Sequence, residues 1–171
     1  MPLKNIWFFH QKTPSLGMLL LGILSLNTAA ANIPDKTPDS TTEQTALQNN
    51  CNSVLLQGAW QLESAIYSDQ NGKVLAEIQN QSTKSRKLIA GRHFSFITWQ
   101  QDGKFEVAAS GTFSADSSGY HEQVDATSLP RLQNKSYHFQ CQLSGDNWLH
   151  QGLEDGVLIK EYWRKLPAIA P

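Results

Sequence analysis

From Gly58 onward, apolar and polar residues alternate in short runs, and clusters of turn-forming residues separate the runs. A period of two is the signature of strands with one buried face. The pattern predicts strands at Trp60–Tyr67, Val74–Gln79, Lys84–Ala90, Arg92–Gln100, Lys104–Ala109, Gly111–Ala115, Tyr120–Ala126, Ser136–Leu143, Trp148–Leu153 and Val157–Leu166. Some of these segments are expected to merge or bend, leaving about eight to ten strands. The separators Asp69-Gln70-Asn71-Gly72, Gln101-Asp102-Gly103, Asp116-Ser117-Ser118-Gly119, Ser144-Gly145-Asp146-Asn147 and Glu154-Asp155-Gly156 are hairpin turns, so neighbouring strands run antiparallel. Strands and helical segments do not alternate, which disfavours a parallel sheet. An all-β, antiparallel up-and-down barrel closes such a meander without leaving exposed edges.

Alternation also assigns faces. Tyr137, Phe139, Cys141 and Leu143 share an apolar face against His138, Gln140 and Gln142. Val157, Ile159, Glu161 and Trp163 form the inner set of the last strand, and Tyr120, Glu122, Val124 and Ala126 that of an earlier one. Between Arg92 and Gln100, His93, Ser95, Ile97 and Trp99 oppose Phe94, Phe96 and Thr98, and the pattern is ambiguous, with both faces open to partial burial. His121, His138 and His150 fall on outer faces.

Glu122 and Glu161 therefore point inward. Burial raises a carboxyl pKa unless a cation or hydrogen-bond donors compensate, so each needs a partner. His93, Tyr120 and Arg92 are candidates. Three readings of the constellation His93, Tyr120, Glu122 and Glu161 stay open: a polar network that fixes the register of the barrel, an anchor for the head of a ligand, or an acid and base pair of an enzyme. Tyr137, Phe139, Trp99, Trp148 and Phe105 either line an apolar pocket or form plain core.

The N-terminal residues change the picture of where the barrel works. Lys4 and Lys12, the apolar run Leu16 to Leu24 and the exit Ala29-Ala30-Ala31 follow the layout of a secretory leader over residues 1–31. The run is shorter than the roughly 20 residues a spanning helix needs, so no transmembrane segment is expected after cleavage. The mature protein is expected to be exported, either periplasmic or secreted. It would carry 12 basic and 15 acidic residues, a balance of −3. The short cluster Lys84-Ser85-Arg86-Lys87 reads as a solvated strand end and no basic stripe occurs, so nucleic acid is not an expected partner.

Residues 32–50 are polar and proline-containing, a flexible N-terminal segment. Within it, Ser40 and Glu43 form a possible capping box that opens a short helix from about Thr42 to Leu56. Residues 51–167 make one barrel domain and 168–171 a tail. Export places Cys51 and Cys141 where disulfides persist, and two readings remain, a structural disulfide or two free thiols. No CxxC pair, Cys/His cluster, His-Glu-x-x-His, Gly-x-Ser-x-Gly or phosphate loop occurs, so neither a metal nor a cofactor is expected.

Gly58-Ala59-Trp60 at the start of the first strand, with Arg164 at the end of the last, resembles the lipocalin signature, in which the tryptophan plugs the closed end and an arginine packs across it. A cation over an indole is worth about 0.5 to 2 kcal/mol. Gly91-Arg92-His93-Phe94-Ser95-Phe96, Gly111-Thr112-Phe113, Tyr120-His121-Glu122 and Glu161-Tyr162-Trp163-Arg164 are similar to segments of a group of uncharacterised bacterial exported lipocalin-like domains. The likeness runs from about Leu56 to Leu166. It implies structural roles for Gly58, Trp60, Trp163 and Arg164. Alternation sets Arg164 on the face opposite Trp163, so its contact with Trp60 requires a bend at the strand end.

The resulting expectation is an exported binding barrel. It would hold a small, partly apolar ligand, with His93, Tyr120, Glu122, Glu161, Trp99, Tyr137 and Phe139 as the binding residues. An interaction or inhibitor module with a side-chain-filled barrel and a protein partner is the alternative, and a barrel enzyme the third reading. A cavity of at least about 300 Å³ separates the first from the second.

Overall fold

The computed structural model describes residues 49–79 and 82–168. The expected leader, the flexible segment up to residue 48 with its capping box, and residues 169–171 of the tail lie outside the described residues.

The described chain forms β1 (Gly58–Ser68), β2 (Val74–Ile78), β3 (Thr83–Ala90), β4 (His93–Gln100), β5 (Phe105–Asp116), β6 (Gly119–Thr127), β7 (Ser136–Ser144), β8 (Asn147–Glu154) and β9 (Val157–Lys165). A single turn of 3-10 helix, Pro130–Leu132, lies between β6 and β7. The predicted segments Lys104–Ala109 and Gly111–Ala115 join as β5, whose register with β6 shifts between Ser110 and Gly111. Glycine is required at that shift, because a Cβ on Gly111 would lie 1.9 Å from the carbonyl oxygen of Gln123.

The strands pair in the order β2-β1-β3-β4-β5-β6-β7-β8-β9, all antiparallel, and β1 also pairs with β9. That second pairing, from Trp60 opposite Lys165 to Ser68 opposite Leu158, closes an eight-stranded barrel from β1 and β3 to β9. β2 is a ninth strand on the same edge of β1 as β3. β3 takes Gly58 to Gln61, and β2 takes Ala65 to Ser68. Closure leaves no long edge to template pairing with another chain.

Alternation is obeyed in most strands. β3 buries Thr83, Ser85, Lys87 and Ile89, and β4 turns Phe94, Phe96 and Thr98 inward. One end of the barrel, here the lower end, is filled by Trp60, Phe113, Tyr120, Phe139, Trp148 and Trp163, with Tyr120 and Trp148 edge to face at 5.2 Å.

Residues 49–57 cross this lower end. Asn50 N donates to Cys141 O, Ser53 N to Ala115 O and the Gln57 amide to Gly91 O, so the segment ties together β7, β5 and the turn between β3 and β4. Cys51 and Cys141 are joined in a disulfide with their Cα atoms 5.7 Å apart. The helix expected up to Leu56 is absent from its described part. The Asn52 side chain instead accepts from the amides of Val54 and Leu55, a local turn that competes with helix formation.

Candidate functional site

Midway up the barrel the interior changes from aromatic to polar. Lys87 on β3 is 3% exposed. Its Nζ donates to Glu122 Oε1 at 2.7 Å, and Tyr120 Oη donates to the same oxygen at 2.7 Å. The ammonium also lies 5.3 to 5.9 Å from the ring centroids of Phe94, Phe96, Tyr120, Trp148 and Trp163. Five ring faces and one carboxylate replace the water that the ammonium would lose, which is what a buried cation requires. Burial first, and then the Glu122 charge, push the Tyr120 hydroxyl well above the ordinary phenol range, so Tyr120 stays a donor.

Glu161 on β9 forms a second polar group. Tyr67 Oη donates to its Oε1 at 2.9 Å and the Trp163 indole N–H to its Oε2 at 3.0 Å. Burial pushes the Glu161 carboxyl up, and the Lys87 charge and these two donors hold it down in part.

Toward the upper end Glu154 closes β8. Burial, which outweighs the nearby Arg131, pushes its carboxyl up to about 8. Arg131, on the 3-10 turn, reaches Asp155 Oδ2 at 2.5 Å and lies 3.7 Å from Glu154 Oε1. The same turn drops Leu132, 3% exposed, onto the core.

Between these groups lies a cavity lined by Tyr67, Ser85, Lys87, Phe96, Thr98, Glu122, Leu132, Phe139, His150, Glu154, Glu161 and Trp163, among others. The cavity is about 60 Å³, enough for a few water-sized groups. His150, 2% exposed, contributes a buried Nδ1 with no hydrogen-bond partner in the protein. Its imidazole is held neutral, pushed well below the ordinary range first by burial and then by the Lys87 charge.

Of the residues expected to bind a ligand, Glu122, Glu161 and Phe139 line this cavity. Tyr120 sits beneath it as the donor to Glu122. Tyr137 is partly buried at the side, with its hydroxyl 3.3 Å from Asp155 Oδ1. His93 and Trp99 are not brought in. Both belong to the face of β4 opposite Phe94 and Thr98, and His93 is exposed at the turn after β3. Arg92 is exposed as well, so the carboxylates take other partners.

Two further expectations are corrected. His150 points inward, because it shares a face with Trp148 across one intervening residue. Lys87 is not a solvated strand end, since it alternates with Ser85 and Ile89 on the buried face. Parity would have found both residues. Glu154 was hidden by its place beside a turn.

The lower end holds the remaining implied contact. Trp60 donates its indole N–H to Leu56 O at 2.8 Å. The cation over its ring is Lys165, with Nζ 5.3 Å from the centroid, while Arg164 is exposed and lies 3.4 Å from Glu63 Oε1. Lys165 pairs directly with Trp60 across β1 and β9, and Arg164 points the other way. Gly58, at φ 120°, leaves room for the passage of this lysine, whose Cε would lie 3.3 Å from an added Cβ.

The fold and its interior define a closed antiparallel β-barrel with an aromatic lower half and a polar upper cavity. The chain belongs to the family described as Domain of unknown function (DUF4488), which matches residues 55–170. No curated protein and no solved structure matches it. Among the described residues no helix is long and apolar enough to cross a membrane, and no three His, Cys, Asp or Glu side chains group as a metal site.

Proposed function

We propose that this chain is an exported, lipocalin-like binding protein that holds a small molecule by a polar head in the upper half of its barrel. The observation that carries this reading is His150. A buried ring nitrogen without a partner, on the wall of a cavity, is a polar group that the fold itself does not use, and such groups in native proteins call for a water or a ligand. Glu161 and Glu154 line the same space. The leader-like N-terminus and the Cys51–Cys141 bond support export.

The cavity falls on the filled-barrel side of the size that separates the two readings, so the binding reading keeps only a small ligand. At about 60 Å³ it falls well short of the roughly 300 Å³ of a drug-sized pocket. The enclosed part of the ligand is therefore a head of a few heavy atoms.

Native mass spectrometry of the mature protein from its own host tests this reading. A retained small-molecule mass that weakens in Glu161→Gln is expected. The same small cavity favours the second reading, an interaction module with a filled barrel. Spectra without added mass, together with a Glu161→Gln variant that changes only the melting temperature, would replace the first reading with the second.

A further inference from the structure

Three carboxyls, Glu122, Glu154 and Glu161, line the cavity beside one lysine, Lys87. Lys87 is committed to Glu122, and Arg131 makes its closest ionic contact with Asp155. Glu161 faces the cavity with the neutral donors Tyr67 and Trp163 hydrogen-bonded to it and the Lys87 charge acting on it from the same wall, and Glu154 faces it with Arg131 at 3.7 Å. The rings Tyr67, Phe96, Phe139 and Trp163 form part of the walls, together with Ser85, Thr98 and aliphatic side chains. His150 Nδ1 is a further unpartnered polar atom on the same wall, in a ring that stays uncharged.

Resting on the binding reading above, we propose that the cavity receives the ammonium head of a small amine, held by Glu161 and Glu154 with His150 as an additional acceptor and the aromatic rings as walls. The barrel already holds one ammonium in this way. Lys87 sits on a carboxylate and among five ring faces, and Lys87, Phe96 and Trp163 also line this cavity, so the interior shows how carboxylates and rings hold an ammonium beside it. A metal ion suits the site less well, because aromatic walls cannot replace its hydration shell and no three ligating side chains converge among the described residues. The proton that burial keeps on Glu154 stands in for the ligand charge, so binding releases it.

The test is calorimetric and fluorimetric titration of the folded protein with propylammonium, against 1-propanol and propionate as isosteres. Propylammonium is expected to saturate one site, to release protons below about pH 8 and to lose at least about tenfold in affinity in Glu161→Gln and in Glu154→Gln. Glu154→Gln mimics the protonated carboxyl and should keep the melting temperature, so its loss of binding would not be a loss of fold. Equal or tighter binding of 1-propanol or propionate, or a retained native ligand without an amine, would overturn the ammonium assignment and leave the binding reading intact. No bound probe and no retained mass would overturn both.

Discussion

Lys87 and Glu122 form an ion pair at 2.7 Å inside the barrel, with both side chains under 8% exposed. Two charges withdrawn from water are held by each other, by the Tyr120 hydroxyl and by five rings. Removing one partner leaves the other uncompensated, which typically costs about 3–5 kcal/mol, whereas removing both is far milder. Lys87→Met is therefore expected to lower the urea midpoint sharply, and Lys87→Met with Glu122→Gln to recover most of the loss. Denaturation of the four members of this cycle measures it. A single variant as stable as the parent would mean that the pair does not hold the interior together.

Lys165, not Arg164, caps the plug tryptophan. Its Nζ lies over Trp60 and donates to Leu55 O at 3.1 Å, whereas Arg164 is exposed beside Glu63. Lys165→Met keeps the stem and deletes the charge. It is expected to cost about 1–2 kcal/mol, and Arg164→Met less than about 0.5 kcal/mol. Thermal unfolding of the two variants compares them directly, and the reverse ranking would reassign the capping role.

The disulfide fastens residues 49–57 across the lower end with a sequence separation of 90. A loop of that length is worth about 4.6 kcal/mol in the chain-entropy account. The Cys51→Ser, Cys141→Ser double variant should lose stability of that order. Its amides near Asn50 and Ser53 should then exchange faster than those of β5 and β6. Uniform exchange in the variant would show that the backbone bonds of this segment hold it without the sulfur link.

How far the sequence foretold the molecule follows from which signals were local. The alternation that made Tyr120, Glu122, Phe139, Cys141, Ile159 and Glu161 inward residues held, because a closed barrel has one inner face, but Ala126, expected inward with them, is exposed where the register with β5 shifts, and β1 changes parity at its own shift after Leu62. Hairpin turns fixed the antiparallel order. The position of Lys87 was legible by parity with Ile89, but an apparent basic cluster masked it. His150 was masked in the same way by the habit of placing histidine outside. The face of β4 could not be chosen from periodicity, because both sides are apolar; the pairing with β3 and β5 decides for Phe94. Partner choice was the least legible. Which cation meets Glu122, and which covers Trp60, depends on register between strands distant in sequence, and no single strand carries that information.

The polar layer makes stability depend on pH in two opposite directions. Folded Glu154 keeps its proton up to about 8, while the unfolded chain releases it near 4.5. Between those values the native state binds more protons, so this residue's contribution is complete below about 4.5 and is lost as pH rises to about 8. His150 acts the other way. Its folded pKa is depressed, so the unfolded chain takes up a proton first, near the ordinary 6.5, and stability falls as pH drops below that value. Below 6.5 the two trends oppose each other, and above it the carboxyl losses remain, from Glu154 and in the same direction from Glu161, which burial also pushes up. Urea midpoints measured from about pH 5 to pH 9 should therefore decline on the alkaline side in the parent. Glu154→Gln should flatten that decline, while His150→Phe, which suits the rings of Phe139 and Trp148 around it, should steepen the fall from pH 5 to 6.5. A parent curve that rises steadily through pH 7 and 8 would show that Glu154 is ionised in the folded barrel.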